Sequence, residues 1–140
     1  MSQVKLVYRN PTTVKLSPRL AENFRQLLQR VIKLVDLKFG EVNVIMVEPS
    51  FIRQLNRVYR HHDRVTDVLS FTYSTRPVGG EIVICLAQAQ LQASRQRHSL
   101  QQELKLLFVH GCLHLAGHDH IKPAERRLMK ALELKTMASK

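Results

Sequence analysis

The chain is poor in the residues that would point to several large protein classes. It has no tryptophan and only two cysteines, Cys85 and Cys112, in 140 residues. Two thiols build no disulfide framework, and a reducing compartment is expected. Five glycines and five prolines are too few for a collagen-like or low-complexity chain. No stretch approaches the roughly 18 to 20 apolar residues of a membrane span. The opening MSQVKLVYRN has no apolar core of signal-peptide length, so a soluble, cytoplasmic protein with no membrane partner is expected. Acidic residues are also scarce. Eleven Asp and Glu stand against 22 Lys and Arg, leaving a net charge of +11. That imbalance favours polyanionic partners, nucleic acid before anionic membrane surfaces.

What is present is ordinary globular material. The apolar fraction is 44% and the charged fraction 24%, and a chain of this size buries roughly two-thirds of its surface on folding. One domain over 1–140 is expected. Val4, Leu6 and Tyr8 alternate as a half-buried strand. Ser17 and Pro18 read as the opening of a helix, followed by Leu20, Phe24, Leu27, Leu28, Val31, Leu34 and Val35 at helical spacing, with Gly40 closing the unit. Val42 to Val47 reads as a buried strand and Pro49 as the start of a second helix. Phe51, Leu55, Val58 and Tyr59 are its expected inner stripe. Val68 to Tyr73 and Glu81 to Cys85 read as strands joined by a turn containing Pro77, Gly79 and Gly80. Three helices follow: Leu86 to about Arg97, one launched by Ser99 with Gln102 as a capping box and stopped by Gly117, and one from Pro123 carrying Leu128 and Leu132. The expected fold is α+β: a small mixed four-stranded sheet packed with about five helices, with a metal site at the end of a central helix.

Four of the seven histidines fall between positions 110 and 120. His110 and His114 are four apart, so at about 100° per residue they share a helix face one turn apart and can reach one metal. Cys112 points the other way, as a small buried hydrophobe. Gly117 breaks the helix, and His120 can then return toward the metal. The spacing of His, His at +4, Gly at +7 and His at +10 is the ligand spacing of the metzincin pattern. Three imidazoles with an open fourth position suit a catalytic zinc, or nickel or another borderline divalent ion. His118 and Asp119 either support the ligands or contact substrate. A zinc peptidase of this spacing carries Glu directly after the first His, but position 111 is glycine. The chemistry therefore fits a phosphodiester better, with the metal activating water or polarising a phosphoryl oxygen.

The second informative stretch runs from Arg53 to Phe71. Its four arginines, Arg53, Arg57, Arg60 and Arg64, suit phosphate contact, and Thr66 and Asp67 read as structural residues that turn the chain into the next strand.

The two stretches together resemble the YbeY endoribonucleases. His110-Gly-Cys-Leu-His114-Leu-Ala-Gly117-His118-Asp119-His120 matches every fixed position of that family's histidine motif. Leu55-Asn-Arg-Val-Tyr59-Arg60 followed by Asp63 and Thr66-Asp67-Val-Leu-Ser70-Phe71 matches its arginine segment, and Gly80-Glu-Ile-Val-Ile-Cys85 resembles its Gly-Asp-Ile strand. Val65 and Thr72 stand where the family commonly has proline, Glu81 replaces an Asp, and His118 replaces an aromatic residue. The resemblance implies a single-strand-specific, zinc-dependent endoribonuclease. It would act on ribosomal RNA and ribosomal particles, including the 3′ end of small-subunit 16S rRNA, and in ribosome quality control. It implies His110, His114 and His120 as zinc ligands and Arg60 as the catalytic arginine. The rival expectations are a zinc metallopeptidase-like hydrolase and a non-catalytic RNA-binding assembly factor with a structural metal.

Overall fold

A computed structural model describes residues 2–9, 16–119 and 121–138. Nine elements follow one another: β1 (Gln3–Tyr8), α1 (Leu20–Val35), β2 (Phe39–Val47), α2 (Pro49–Arg60), β3 (Val68–Thr75), β4 (Val78–Cys85), α3 (Leu86–Gln96), α4 (Leu100–Leu115) and α5 (Pro123–Ala138). The strands form one sheet in the order β1-β2-β4-β3. β1, β2 and β4 run parallel, and β3 pairs antiparallel with β4. The architecture is the expected α+β fold, a mixed four-stranded sheet with five helices.

Strand alternation sorts the sheet residues into two faces. Leu6, Val44, Ile82 and Ser70 form one transverse row. Their face meets α1 and α4 in the main core, around Phe24, Val42, Ile82, Leu104 and Phe108. Phe24 and Phe108 stack with ring centroids 4.3 Å apart and 11° between planes, locking α1 to α4. The opposite face holds a smaller core of Val47, Ile52, Leu69, Val83 and Cys85 beneath α2.

α4 is buried on most sides, as its apolar composition requires. It lies flush on β4 because residue 111 has no side chain. A Cβ there would sit 2.8 to 3.0 Å from three carbons of Ile82, which is itself fully buried. Cys112 is also fully buried, and burial pushes its thiol well above the ordinary cysteine range.

Several boundaries differ from the sequence expectation. α1 starts at Leu20, because the Ser17 hydroxyl and carbonyl accept the N–H groups of Arg19 and Leu20 in a preceding turn. It ends at Asp36 in a left-handed conformation, and Gly40 belongs to β2. Gly79 and Gly80 lie inside β4, joined to β3 by Arg76 and a cis Pro77. A side chain at Gly80 would run into the Phe71 carbonyl and Leu115. The inner stripe of α2 is Ile52 and Asn56, with Phe51 and Leu55 at its margin. Val58 and Tyr59 are exposed. In α5, Met129 and Thr136 are buried and Leu128 is exposed.

Gly111→Ala sets two effects against each other. Alanine is favoured over glycine in a helix by about 1 kcal/mol, whereas overpacking a filled core costs about 1–3 kcal/mol. Ile82 has nowhere to move, so overpacking wins. Urea unfolding should show a net loss of up to about 2 kcal/mol.

Candidate active site

The last two turns of α4 carry His110 and His114. Their Nε2 atoms lie 3.2 Å apart, with ring centroids 4.7 Å apart at 70°. Two ligands of a tetrahedral ion with metal–nitrogen bonds of about 2.0–2.1 Å are separated by about 3.3–3.4 Å. The pair therefore has the bite that a tetrahedral cation needs. Nδ1 of His110 lies 2.7 Å from Oε1 of Glu133 on α5. A carboxylate only accepts, so Nδ1 donates, and in the neutral ring this leaves the Nε2 lone pair facing His114. Glu133 escaped the sequence reading because it lies 23 residues from His110 and only the packing of α5 on α4 brings it there.

α4 ends as Gly117 requires. Gly117 has φ +98°, its N–H donates to the His114 carbonyl at 3.0 Å, and the His118 N–H donates to Leu113 at 2.9 Å. These two bonds are the Schellman clasp. The clasp turns the chain at Gly117, as the spacing argument expected. His120 itself lies outside the described residues. Among the described residues, no group of three or more His, Cys, Asp or Glu side chains is arranged to hold a metal.

Arg60 ends α2 and reaches β3. Its Nη2 donates to the Ser70 carbonyl at 2.8 Å, and its guanidinium lies 4.9 Å from the Phe71 ring centre. Ser70 in turn donates its hydroxyl to the Gly111 carbonyl at 3.4 Å. One residue of β3 thus ties Arg60 to the helix that carries the histidines. Arg60, His110, His114, His118 and Asp119 line one open cavity of about 840 Å³.

Of the four arginines, Arg60 and Arg64 line this cavity. Arg53 is engaged by Asp63 at 2.8 and 3.4 Å, and this bond to the arginine holds the Asp63 carboxyl below its usual range. The loop between Arg60 and β3 is held from beneath. Buried Asn56 donates to the Arg64 carbonyl at 3.1 Å and accepts the His62 N–H at 3.2 Å through its own carbonyl. The sequence reading gave Asn56 no role, since an amide in an apolar stripe looks like a solvent-facing residue. Asp67 accepts from the Val68 N–H, the Thr66 hydroxyl and Gln92, which is the structural role expected of it.

Position 111 also bears on the chemistry. It faces Ile82 across the helix–sheet contact, so no general base can hang there. The glutamate of a zinc peptidase has no room at this position.

Comparison with known proteins identifies the family. The family model described as Endoribonuclease YbeY matches residues 7–140. A Carboxydothermus hydrogenoformans protein named Endoribonuclease YbeY is 42% identical over 103 residues, covering 71% of this chain and 72% of its own. A Ureaplasma parvum protein of the same name is 33% identical over 136 residues, covering 94% of this chain and 84% of its own. A third, from Myxococcus xanthus, is 36% identical over 138 residues and 91% of this chain, which spans 47% of that longer relative. A solution structure from Thermotoga maritima superposes with a TM-score of 0.62 at 28% identity, over 96% of this chain and 89% of that one. The fold thus has a counterpart among solved structures, and the chain belongs to the YbeY family.

The Glu133 contact yields a measurable expectation. In Glu133→Ala the His110 ring loses its acceptor, and its imidazole ¹⁵N signals should change from a single Nδ1–H tautomer to an exchanging mixture. Affinity for added Zn²⁺, read by competition with a chromophoric chelator, should fall about 10- to 100-fold.

Proposed function

We propose that this protein is a single-strand-specific, zinc-dependent endoribonuclease, with residues 1–140 acting as one domain. The observation that carries the reading is the pairing, in one open cavity, of two imidazole nitrogens 3.2 Å apart with an anchored arginine. His110, His114 and His120 would hold one zinc ion, or nickel or another borderline divalent ion. Such a cation supplies Lewis acidity to the scissile phosphoryl group.

The chain's own residues do the rest. Glu133 fixes the His110 ring. Arg60 has five N–H donors, of which the Ser70 and Tyr59 carbonyls take two. The remaining donors are positioned for the non-bridging phosphate oxygens, whose charge grows as the phosphorus centre gains a bond. Arg64 adds positive charge to the same cavity. The net charge of +11 draws the polyanion in and makes binding salt-dependent.

The family supports RNA as the substrate class. Within it we place this protein in the cytoplasm, acting on ribosomal RNA and ribosomal particles, in 3′-end processing of small-subunit 16S rRNA and in ribosome quality control. Among the described residues no helix is long and apolar enough to cross a membrane. The absence of room for a base at position 111 speaks against a metallopeptidase.

The test uses purified protein with labelled single-stranded RNA, the same sequence as a duplex, and a peptide mixture. Single-stranded RNA should be cut, cutting should stop after exhaustive chelation, and added Zn²⁺ should restore it. Cleavage of peptides with inert RNA, or RNA cleavage indifferent to chelation, would overturn the proposal. If His114→Ala unfolds the domain and abolishes RNA binding together, a structural-metal assembly factor is the better description.

Arg60→Ala should lower cleavage by about 10²- to 10³-fold, the usual cost of losing a transition-state donor, with zinc content unchanged by elemental analysis. Loss of the metal instead would make Arg60 a support of the site's architecture.

A further inference from the structure

Among the described residues, the second face of the sheet is only partly covered. α2 shields the part around Leu69 and Val83. Beside it an apolar groove of about 440 Å³ stays open, lined by Phe51, Tyr59, Phe71, Tyr73, Ile45 and Val83 among others. The chain has only three tyrosines and five phenylalanines, and four of these eight rings line this one groove. Tyr59 and Tyr73 are 59% and 65% exposed, so their rings are open to a partner.

The groove and the histidine cavity lie on opposite faces of the sheet and meet at its margin, where Phe71 of the groove touches Arg60 of the cavity. Phe71 receives the edge of Tyr59, centroids 5.4 Å apart at 70°, and also carries the Arg60 guanidinium at 4.9 Å. A second guanidinium, Arg9, lies 3.9 Å over Phe51 and pairs with Glu48. Apolar aromatic walls beside cations are the combination that holds unpaired bases, since every base offers a π-face and every nucleotide a phosphate. A polyanionic strand held at Arg60 reaches this groove by rounding the margin of the sheet at β3.

We propose that the groove is a base-binding subsite: it takes one unpaired nucleobase of the RNA strand, stacked on Tyr59 and Tyr73, adjacent to the phosphate held by Arg60. The inference rests on the single-stranded RNA reading above. Glu81 is the one carboxylate among the groove residues; partial burial and then this carboxylate push the Tyr73 phenol above its ordinary range, so the ring is a neutral stacking surface. A second copy of the chain is a poor occupant, because it brings +11 against +11.

The test uses the full chain and a short single-stranded RNA in which 2-aminopurine replaces one base at a time. Its fluorescence should be quenched at one position beside the cleavage site. Tyr59→Leu and Tyr73→Leu should each weaken RNA binding about tenfold, equivalent to about 1.4 kcal/mol, and abolish the quenching. Tyr59→Phe and Tyr73→Phe, which keep the rings, should bind as the parent does. An apolar surface with any other purpose would tolerate leucine. If the parent protein cuts RNA and the leucine variants bind and quench unchanged, the subsite is disproved while the nuclease reading stands. If the parent binds no RNA, both fall. If the parent is a dimer that the leucine variants dissociate with RNA binding intact, the face is an interface between copies and the proposal is overturned.

Discussion

The site depends on one contact, the flush packing of α4 on β4 at Gly111 and Ile82. Two closely packed layers transmit position with little play. Because the helix backbone sits directly on the strand, the Gly111 carbonyl comes within reach of the Ser70 hydroxyl on the neighbouring strand. The Ser70 carbonyl then anchors Arg60. The histidines are on the same helix turns, and α5 braces one of them from outside through Glu133. Three elements distant in sequence are thus brought to a common cavity by a glycine that does no chemistry itself.

The same contact explains why α4 can be so apolar and still end in polar rings. Its central turns face α1, the sheet and α5, and burial there is favourable by about 1.5–3 kcal/mol for each large side chain. Only near the C-terminus does the helix emerge, and the Schellman clasp at Gly117 stops it there. His110 and His114 lie at this boundary, where an imidazole can be held rigidly by its neighbours and still meet solvent.

Much of this was legible in the sequence. Element order, the α+β class, the Ser99 cap, the Gly117 stop and the shared face of His110 and His114 all follow from local rules with fixed geometry. The errors came where tertiary packing overrides the local pattern. In α2 the residues Phe51, Leu55, Val58 and Tyr59 have helical spacing, yet the helix turns Ile52 and Asn56 inward. Asn56 is accepted in the interior because the loop backbone uses its amide. Gly79 and Gly80 look like a turn, but they are strand residues, and at Gly80 the neighbours leave no space for a side chain. Glu133 carries no local signal at all. The catalytic role proposed for Arg60 comes from the motif alone; the structure brings Arg60, His110 and His114 to one cavity, and His120 lies outside the described residues.

β3 is a margin of the sheet, and its outward carbonyls are open to any passing strand. The Arg60 guanidinium caps one of them, at Ser70, and lays a charge across the rim. The side chain poised over the cavity therefore also guards the border of the sheet against unwanted β-pairing between molecules. The cover over a sheet edge and the proposed contact with phosphate thus fall to one planar cation.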